Sequence, residues 1–128
     1  MISVRVENGK RLEMNSRQKG KRGELELAHY LRSSGFDCHR GVQYKGSPDS
    51  PDVVGLDGIH IECKRVESLN LDVAMLQAEH DAGENEIPVV MHRKNRHGWK
   101  VTMRIDDWLE FYERWKDNDG NGSSTEIE

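Results

Sequence analysis

The 128 residues are 34% apolar and 33% charged, which supplies core for one small domain built of a sheet and a few helices and excludes a second domain. No apolar run approaches the length of a bilayer span and the N-terminus lacks an apolar signal segment, so membrane and secreted classes are set aside and a cytoplasmic location is expected. The net charge of −4 argues against a nucleic-acid partner only until its distribution is seen: residues 106–128 hold eight acidic and two basic residues, leaving 17 basic against 15 acidic in residues 1–105, and binding follows the local field.

In chain order, residues 1–14 are polar and read as a flexible arm. From Ser16 a helix is predicted to Ser34, with Gly35 as its C-terminal cap. At 100° per residue Leu25, Leu27, Ala28 and Leu31 form an apolar stripe with Glu24 at its centre and Glu26 on the opposite, water-facing side. Two readings of Glu24 stand: a carboxylate turned to the sheet and in need of a cation, or one near a frayed helix start that touches water. Phe36–Arg40 reads as a first strand, and 41–50 as a Gly-, Ser- and Pro-rich loop that delivers Pro51 to the sheet.

Val53-Val54 and Ile59-His60-Ile61 read as paired strands around Asp57-Gly58. A two-residue turn would set Asp52 opposite Cys63. A three-residue loop, Leu56–Gly58 with Gly58 left-handed, sets Asp52 opposite Glu62, and this register is preferred. Glu62 and Lys64 then share a face with Asp52, while Val53, Ile59, Ile61 and Cys63 turn to the apolar face. Two facing carboxylates stay ionised together only with a positive charge between them, and oxygen-only ligands of this kind suit Mg²⁺.

Beyond the hairpin, Leu69-Asn70 leads into a helix to Ala82, with Leu71, Ala74, Met75, Ala78 and Ala82 at helical spacing and Gly83 as its stop. Gln77 and Asp81 are placed off that stripe; either could line the site, Gln77 as an auxiliary residue, although exposed helix polarity is the simpler reading. Ile87–His92 and Trp99–Ile105 make a second strand pair. Asp106 then caps a helix whose Trp108, Phe111, Tyr112 and Trp115 fall at i, i+3, i+4 and i+7 and read as core. From Asp117 the composition is that of a disordered acidic tail. The expected domain is thus 15–116, between an arm at 1–14 and a tail at 117–128.

Cys38 and Cys63 give no disulfide framework, and each packs as a small hydrophobe. A zinc site built from them with His39 and His60 is disfavoured, because these residues alternate faces instead of converging. Two basic clusters offer phosphate contacts: Arg17, Lys19, Lys21 and Arg22 early in the first helix, and Arg93, Lys94, Arg96, Lys100 and Arg104 in a stretch without an acid from Ile87 to Ile105. Arg40 and Lys45 join them as candidate DNA contacts.

Pro51-Asp52 followed by Glu62-Cys63-Lys64 resembles the PD-(D/E)xK nuclease superfamily. Lys19-Gly20-Lys21-Arg22-Gly23-Glu24 with Leu25-Glu26-Leu27 and Gly35-Phe36 is similar to the opening of archaeal Holliday junction resolvases. Small phage-encoded nucleases, often described as resolvases, look closer still. Arg40-Gly41, Pro51 to Gly55, Ile61 to Glu67, Leu69-Asn70, Gln77-Ala78 and Pro88-Val89-Val90 echo their pattern. Leu25, where the archaeal enzymes commonly carry a basic residue, and the loop before Asp52 depart from it.

The resemblance implies a restriction-endonuclease-like α/β core, a central mixed five-stranded sheet flanked by helices in the order α-β-β-β-α-β-β-α. It implies a metal-dependent DNA endonuclease acting on branched or junction DNA. Asp52, Glu62 and the Cys63 backbone carbonyl would bind Mg²⁺, with Mn²⁺ able to substitute; Glu24 would lie nearby, directly or through water, and Lys64 would orient or activate the attacking water. It also implies a homodimer, and the cytoplasm of a bacterial host if the chain is phage-encoded. A flap or single-strand nuclease or nickase of the same fold, and a DNA-binding module that does not cut, are the alternatives.

Overall fold

The computed structural model describes the backbone of residues 2–41 and 51–127, and the side chains of 18–41 and 51–118. Along the chain run α1 (Ile2–Ser33), β1 (His39–Arg40), β2 (Val53–Val54), β3 (Ile59–Arg65), α2 (Leu71–Asp81), β4 (Ile87–Arg93), β5 (Lys100–Met103) and α3 (Ile105–Ile127). This is the expected order on a mixed five-stranded sheet whose strands lie side by side in sequence order. The β3–β4 pair is parallel and the other three are antiparallel. A parallel neighbour cannot be reached through a tight turn, and α2 is the crossover that links the two.

Helical backbone exceeds the expected bounds at both ends. α1 begins at Ile2 instead of Ser16, and α3 starts at Ile105, one residue ahead of Asp106, and continues through Asp117 to Ile127. Neither added segment contains proline, and once a helix is nucleated each further residue gains a backbone hydrogen bond. No helix of the described residues is long and apolar enough to cross a membrane.

α1 closes as expected at Gly35. Its φ of 101° is left-handed, the Gly35 N–H donates to the Arg32 carbonyl and the Phe36 N–H to the Leu31 carbonyl, which satisfies carbonyls that the helix end would otherwise leave open. This cap takes up residues assigned to the first strand, so the strand shortens from Phe36–Arg40 to His39–Arg40 and Phe36 is left exposed.

The hairpin adopts the register preferred above. Val53 pairs with Ile61, which sets Asp52 opposite Glu62. The Ile59 N–H donates to the Leu56 carbonyl at 3.0 Å, closing the three-residue loop, and Gly58 has φ 82°, where a Cβ would be strained.

The sheet sends alternate residues to two helices. Leu27, Ala28, Cys38, Val53, Ile61, Cys63 and Val89 form the core under α1. On the other face Ala74 and Ala78 of α2 pack on Val90, which lies beside Glu62 in the β3–β4 register. α2 is capped at its start by Asn70, whose side chain accepts from the Val73 N–H at 3.2 Å, and ends at Asp81 with Ala82 as C-cap. Leu25, assigned to the apolar stripe of α1, is 43% exposed: it lies 100° from Glu24 on the wheel, at the stripe's margin.

The aromatic residues of α3 are not core. Trp108, Phe111, Tyr112 and Trp115 are all exposed, as are Ile105 and Leu109; Trp108 stacks on Tyr112 with ring centroids 5.4 Å apart. The period of 3.6 residues identifies a face that favours burial but not what covers it, and α1 and α2 already occupy the two sheet faces.

Two glycines inside α1 make opposite predictions. A Cβ at Gly20 would have nothing within 4 Å, whereas a Cβ at Gly23 would stand 2.6 Å from the Arg65 Cβ, where α1 crosses β3. Gly20→Ala should therefore stabilise the fold by about 1 kcal/mol through helix propensity, and Gly23→Ala should destabilise it by about 1–3 kcal/mol through overpacking. Denaturant unfolding of the two variants checks the difference in sign.

Candidate functional site

Asp52 precedes β2 and Glu62 is the fourth residue of β3. The Asp52 N–H donates to the Ile61 carbonyl at 2.9 Å, and its Oδ2 accepts from the Cys63 N–H at 2.8 Å, so backbone bonds fix both the strand and the carboxylate. Glu62 is buried, and Lys64, two residues on and on the same face, brings Nζ to 3.7 Å from Glu62 Oε2. Burial pushes the Asp52 carboxyl up to about 6 against the opposing hydrogen bond from Cys63, with Glu24 adding repulsion. Glu62 rises to about 7, from burial first and then from Asp52. Lys64 offsets part of this in both but does not neutralise the pair. Cys63 faces the other way, and burial raises its thiol far above the thiolate range, so it offers the site backbone atoms and no nucleophile.

Glu24 is turned to the sheet, as the helical wheel requires, and is bound to Arg40 of β1, with Arg40 Nε 2.7 Å from Glu24 Oε1 and both side chains largely buried. Its charge acts on Asp52 and Glu62. Arg40, assigned to DNA, commits its Nε to this bond. Glu26, expected to face water, instead accepts from Arg65 Nε at 3.2 Å and from Arg93 Nη1. The wheel gives the direction of Glu26 correctly; what it misses is that arginines from β3 and β4 reach round to meet it. Arg65 also donates to Asn95 Oδ1 at 3.0 Å, and Glu67 accepts from the Asn95 N–H at 2.7 Å, so the turn between β4 and β5 is tied to α1.

Of the other cationic candidates, Lys19, Lys21 and Arg22 are exposed on α1, and Lys94 and Arg96 are exposed on the β4–β5 turn. Arg93 serves Glu26 and the His97 carbonyl. The Arg17 side chain and Lys45 lie outside the described residues. A cavity of about 260 Å³ opens beside the same turn, with His92, Arg93, Lys94, His97, Lys100 and Glu67 among its lining residues.

Two neighbours of Glu62 were undervalued in the sequence. His60 shares its face at the strand period of two and is almost fully buried. Asp81 lies seven residues beyond Ala74 and three beyond Ala78, so it does fall on the sheet-facing stripe of α2. Donor atoms of His60, Glu62 and Asp81 lie within 4.8 Å of one another, a group that includes neither cysteine. Both cysteines are buried in the α1 core, packed among apolar residues. Gln77 is exposed and donates to Asp81 Oδ2 at 2.7 Å; with His80, this bond holds the Asp81 carboxyl below its usual range.

The carboxylate pair predicts a pH signature in metal-free protein. The ordinary values for Asp52 and Glu62 are 3.8 and 4.5, and the folded-state values are higher. Folding therefore favours their protonated forms, and the stability this provides is present below about pH 4 and lost as pH rises through about 7. An Asp52→Asn, Glu62→Gln double variant should match wild-type stability near pH 4 and exceed it near pH 8. Urea unfolding across that range measures the difference, and parallel curves would refute it.

Residues 15–102 match the family model described as "Archaeal holliday junction resolvase (hjc)". No curated protein matches the chain at a significant level. Among solved structures, Hjc of Archaeoglobus fulgidus, described as a Holliday junction resolvase from an archaeal hyperthermophile, superposes with a TM-score of 0.51 at 26% identity, over 66% of this chain and 72% of that one. The matched span includes α1 from residue 15, the Asp52–Glu62 hairpin, Lys64 and the whole of the parallel strand pair. By this match across most of its length and by its five-stranded mixed sheet, the chain belongs to the archaeal Holliday junction resolvase family.

Proposed function

We propose that this protein is a metal-dependent endonuclease that resolves branched DNA, with Asp52, Glu62 and Lys64 as its chemical centre. The observation that carries the reading is the register that sets the half-buried Asp52 opposite the buried Glu62 with a lysine on the same face, in a chain of a junction-resolvase family. The donor set fits a hard divalent cation: the carboxylates repel, burial penalises their charge, and Lys64 at 3.7 Å leaves that charge only partly compensated. Asp52, Glu62 and the Cys63 carbonyl would hold Mg²⁺, or Mn²⁺ in its place. When bound, such an ion polarises a phosphoryl oxygen and lowers the pKa of its water.

The chain's own groups supply the rest. Lys64 places a cation beside the reacting phosphate and orients the attacking water. Glu24, held by Arg40, is the third carboxylate and acts through water. Lys19, Lys21, Arg22, Lys94 and Arg96 present exposed charge to the phosphate backbone, a contact that positions DNA without reading its sequence. The basic cavity beside the β4–β5 turn extends that track.

A four-way junction needs two cuts, and the described residues of one chain hold one such centre. A homodimer supplies the second by two-fold symmetry, and the unpartnered apolar face of α3, with Val73 and Leu76 on α2 also exposed, supplies surface for it.

Labelled four-way, flapped and linear DNA incubated with Mg²⁺ or with chelator tests the activity. Four-way DNA should be cut in Mg²⁺ alone, and Asp52→Asn and Glu62→Gln should each lose at least about 100-fold while keeping the wild-type circular dichroism; undiminished cutting by either variant sinks the site assignment. Preference for flaps would redirect the substrate to the flap-nuclease alternative. For the dimer, light scattering should give the mass of two chains for the wild type and of one for Trp108→Glu, with paired cuts giving way to single nicks. A wild type of one-chain mass that still makes paired cuts would remove the dimer.

A further inference from the structure

The feature left unexplained by the Asp52–Glu62 centre is His60. It is 1% exposed, and neither ring nitrogen has a hydrogen-bond partner, although burying an unsatisfied polar group is unfavourable. The ring stands beside Glu62 on β3 and beneath the C-terminal end of α2. One donor atom each from His60, Glu62 and Asp81 falls within 4.8 Å of the others.

We propose that His60, Glu62 and Asp81 form a second divalent-cation position, of mixed nitrogen and oxygen donors, that takes a first-row transition ion in preference to Mg²⁺ and for which Mn²⁺ serves as the paramagnetic probe. Two donors each about 2.1 Å from one ion stand at most about 4.2 Å apart, so donors separated by up to 4.8 Å draw together on binding, through rotations of the Asp81 and Glu62 side chains. The imidazole sets the selectivity, because oxygen-only sites suit Mg²⁺ while imidazole favours later divalent ions.

The surroundings are those of a supported ligand set. His60 Nδ1 lies 3.7 Å from Glu86 Oε1, too long for a hydrogen bond, and Glu86 is itself fixed by the Gly83 N–H at 2.7 Å. An ion on Nε2 would leave the Nδ1 proton for Glu86, the carboxylate–histidine–metal arrangement that orients ligating histidines. Asp81 is braced by Gln77 Nε2 at 2.7 Å and by His80 Nδ1 at 3.1 Å. Glu62 is common to both positions, and a carboxylate has two oxygens with which to bridge them. The inference rests on the proposed cation site only in this shared residue; it does not depend on DNA cleavage.

Pulsed electron paramagnetic resonance of the metal-free full chain titrated with Mn²⁺ tests it, because modulation from an imidazole ¹⁴N arises only when Mn²⁺ is bound to histidine. The signal should be present in wild type and retained in Asp52→Asn, which lacks a ligand of the first position alone. It should vanish in His60→Gln, and Asp81→Asn should bind the nitrogen-coupled ion at least tenfold more weakly. Since His60 is buried, its variant is judged only with wild-type circular dichroism; Asp81→Asn, at the helix end, carries the test independently. Absence of nitrogen modulation in wild type, its survival in folded His60→Gln, or wild-type affinity in Asp81→Asn would overturn the second position. Loss of all Mn²⁺ binding in Asp52→Asn would overturn it too, while leaving the first position intact.

Discussion

Asp52 opposite Glu62 is the constraint that the rest of the molecule accommodates. Two carboxylates across a strand pair repel, and withdrawing them from water raises both well above ordinary values. Apolar residues there would make a more stable sheet. The surrounding structure therefore holds the pair in place: the Cys63 N–H binds one acid, Lys64 stands near the other, and the register is pinned by a loop that only a left-handed residue closes. Below the pair, Ile61 and Cys63 pack against α1, so a one-residue slip would turn Glu62 into the apolar core under α1 and Ile61 to the charged face. Apolar packing on one face thus enforces charge repulsion on the other.

Much of this was legible in sequence because it depends on short-range rules. The period of two in β3, together with Gly58, was enough to choose between registers, and Gly35 marked the helix end that the hydrogen bonds confirm. The wheel placed Glu24 towards the sheet. What it could not supply was a partner, and Arg40, sixteen residues away, became that partner only through the β1–β2 pairing. Glu26 failed for a related reason: its direction was right, but Arg65 and Arg93 arrive from strands that the helix alone says nothing about. Asp81 could have been found. Its offsets from Ala74 and Ala78 place it on the buried stripe, and a charge there should have counted as strongly as Glu24 did.

α3 marks the limit of pattern reading. Its aromatic spacing implies a covered face, yet in the single chain Trp115 is 61% exposed. Amphipathic periodicity records that a surface is apolar; whether a sheet, another chain or nothing covers it depends on how many faces the fold has to offer, and here α1 and α2 have taken both.

The hairpin that joins the two acids also orders the folding of the chain. Asp52 and Glu62 are brought together across a three-residue loop, a contact between near neighbours in sequence that forms on a microsecond scale. The β3–β4 pair must wait for the crossover through α2. The carboxylates therefore meet while water still screens them, and their mutual repulsion is weak. It grows only as α2 settles over the sheet and drives the water out. Closure of that helix, and not formation of the hairpin, is the step that the buried charge opposes.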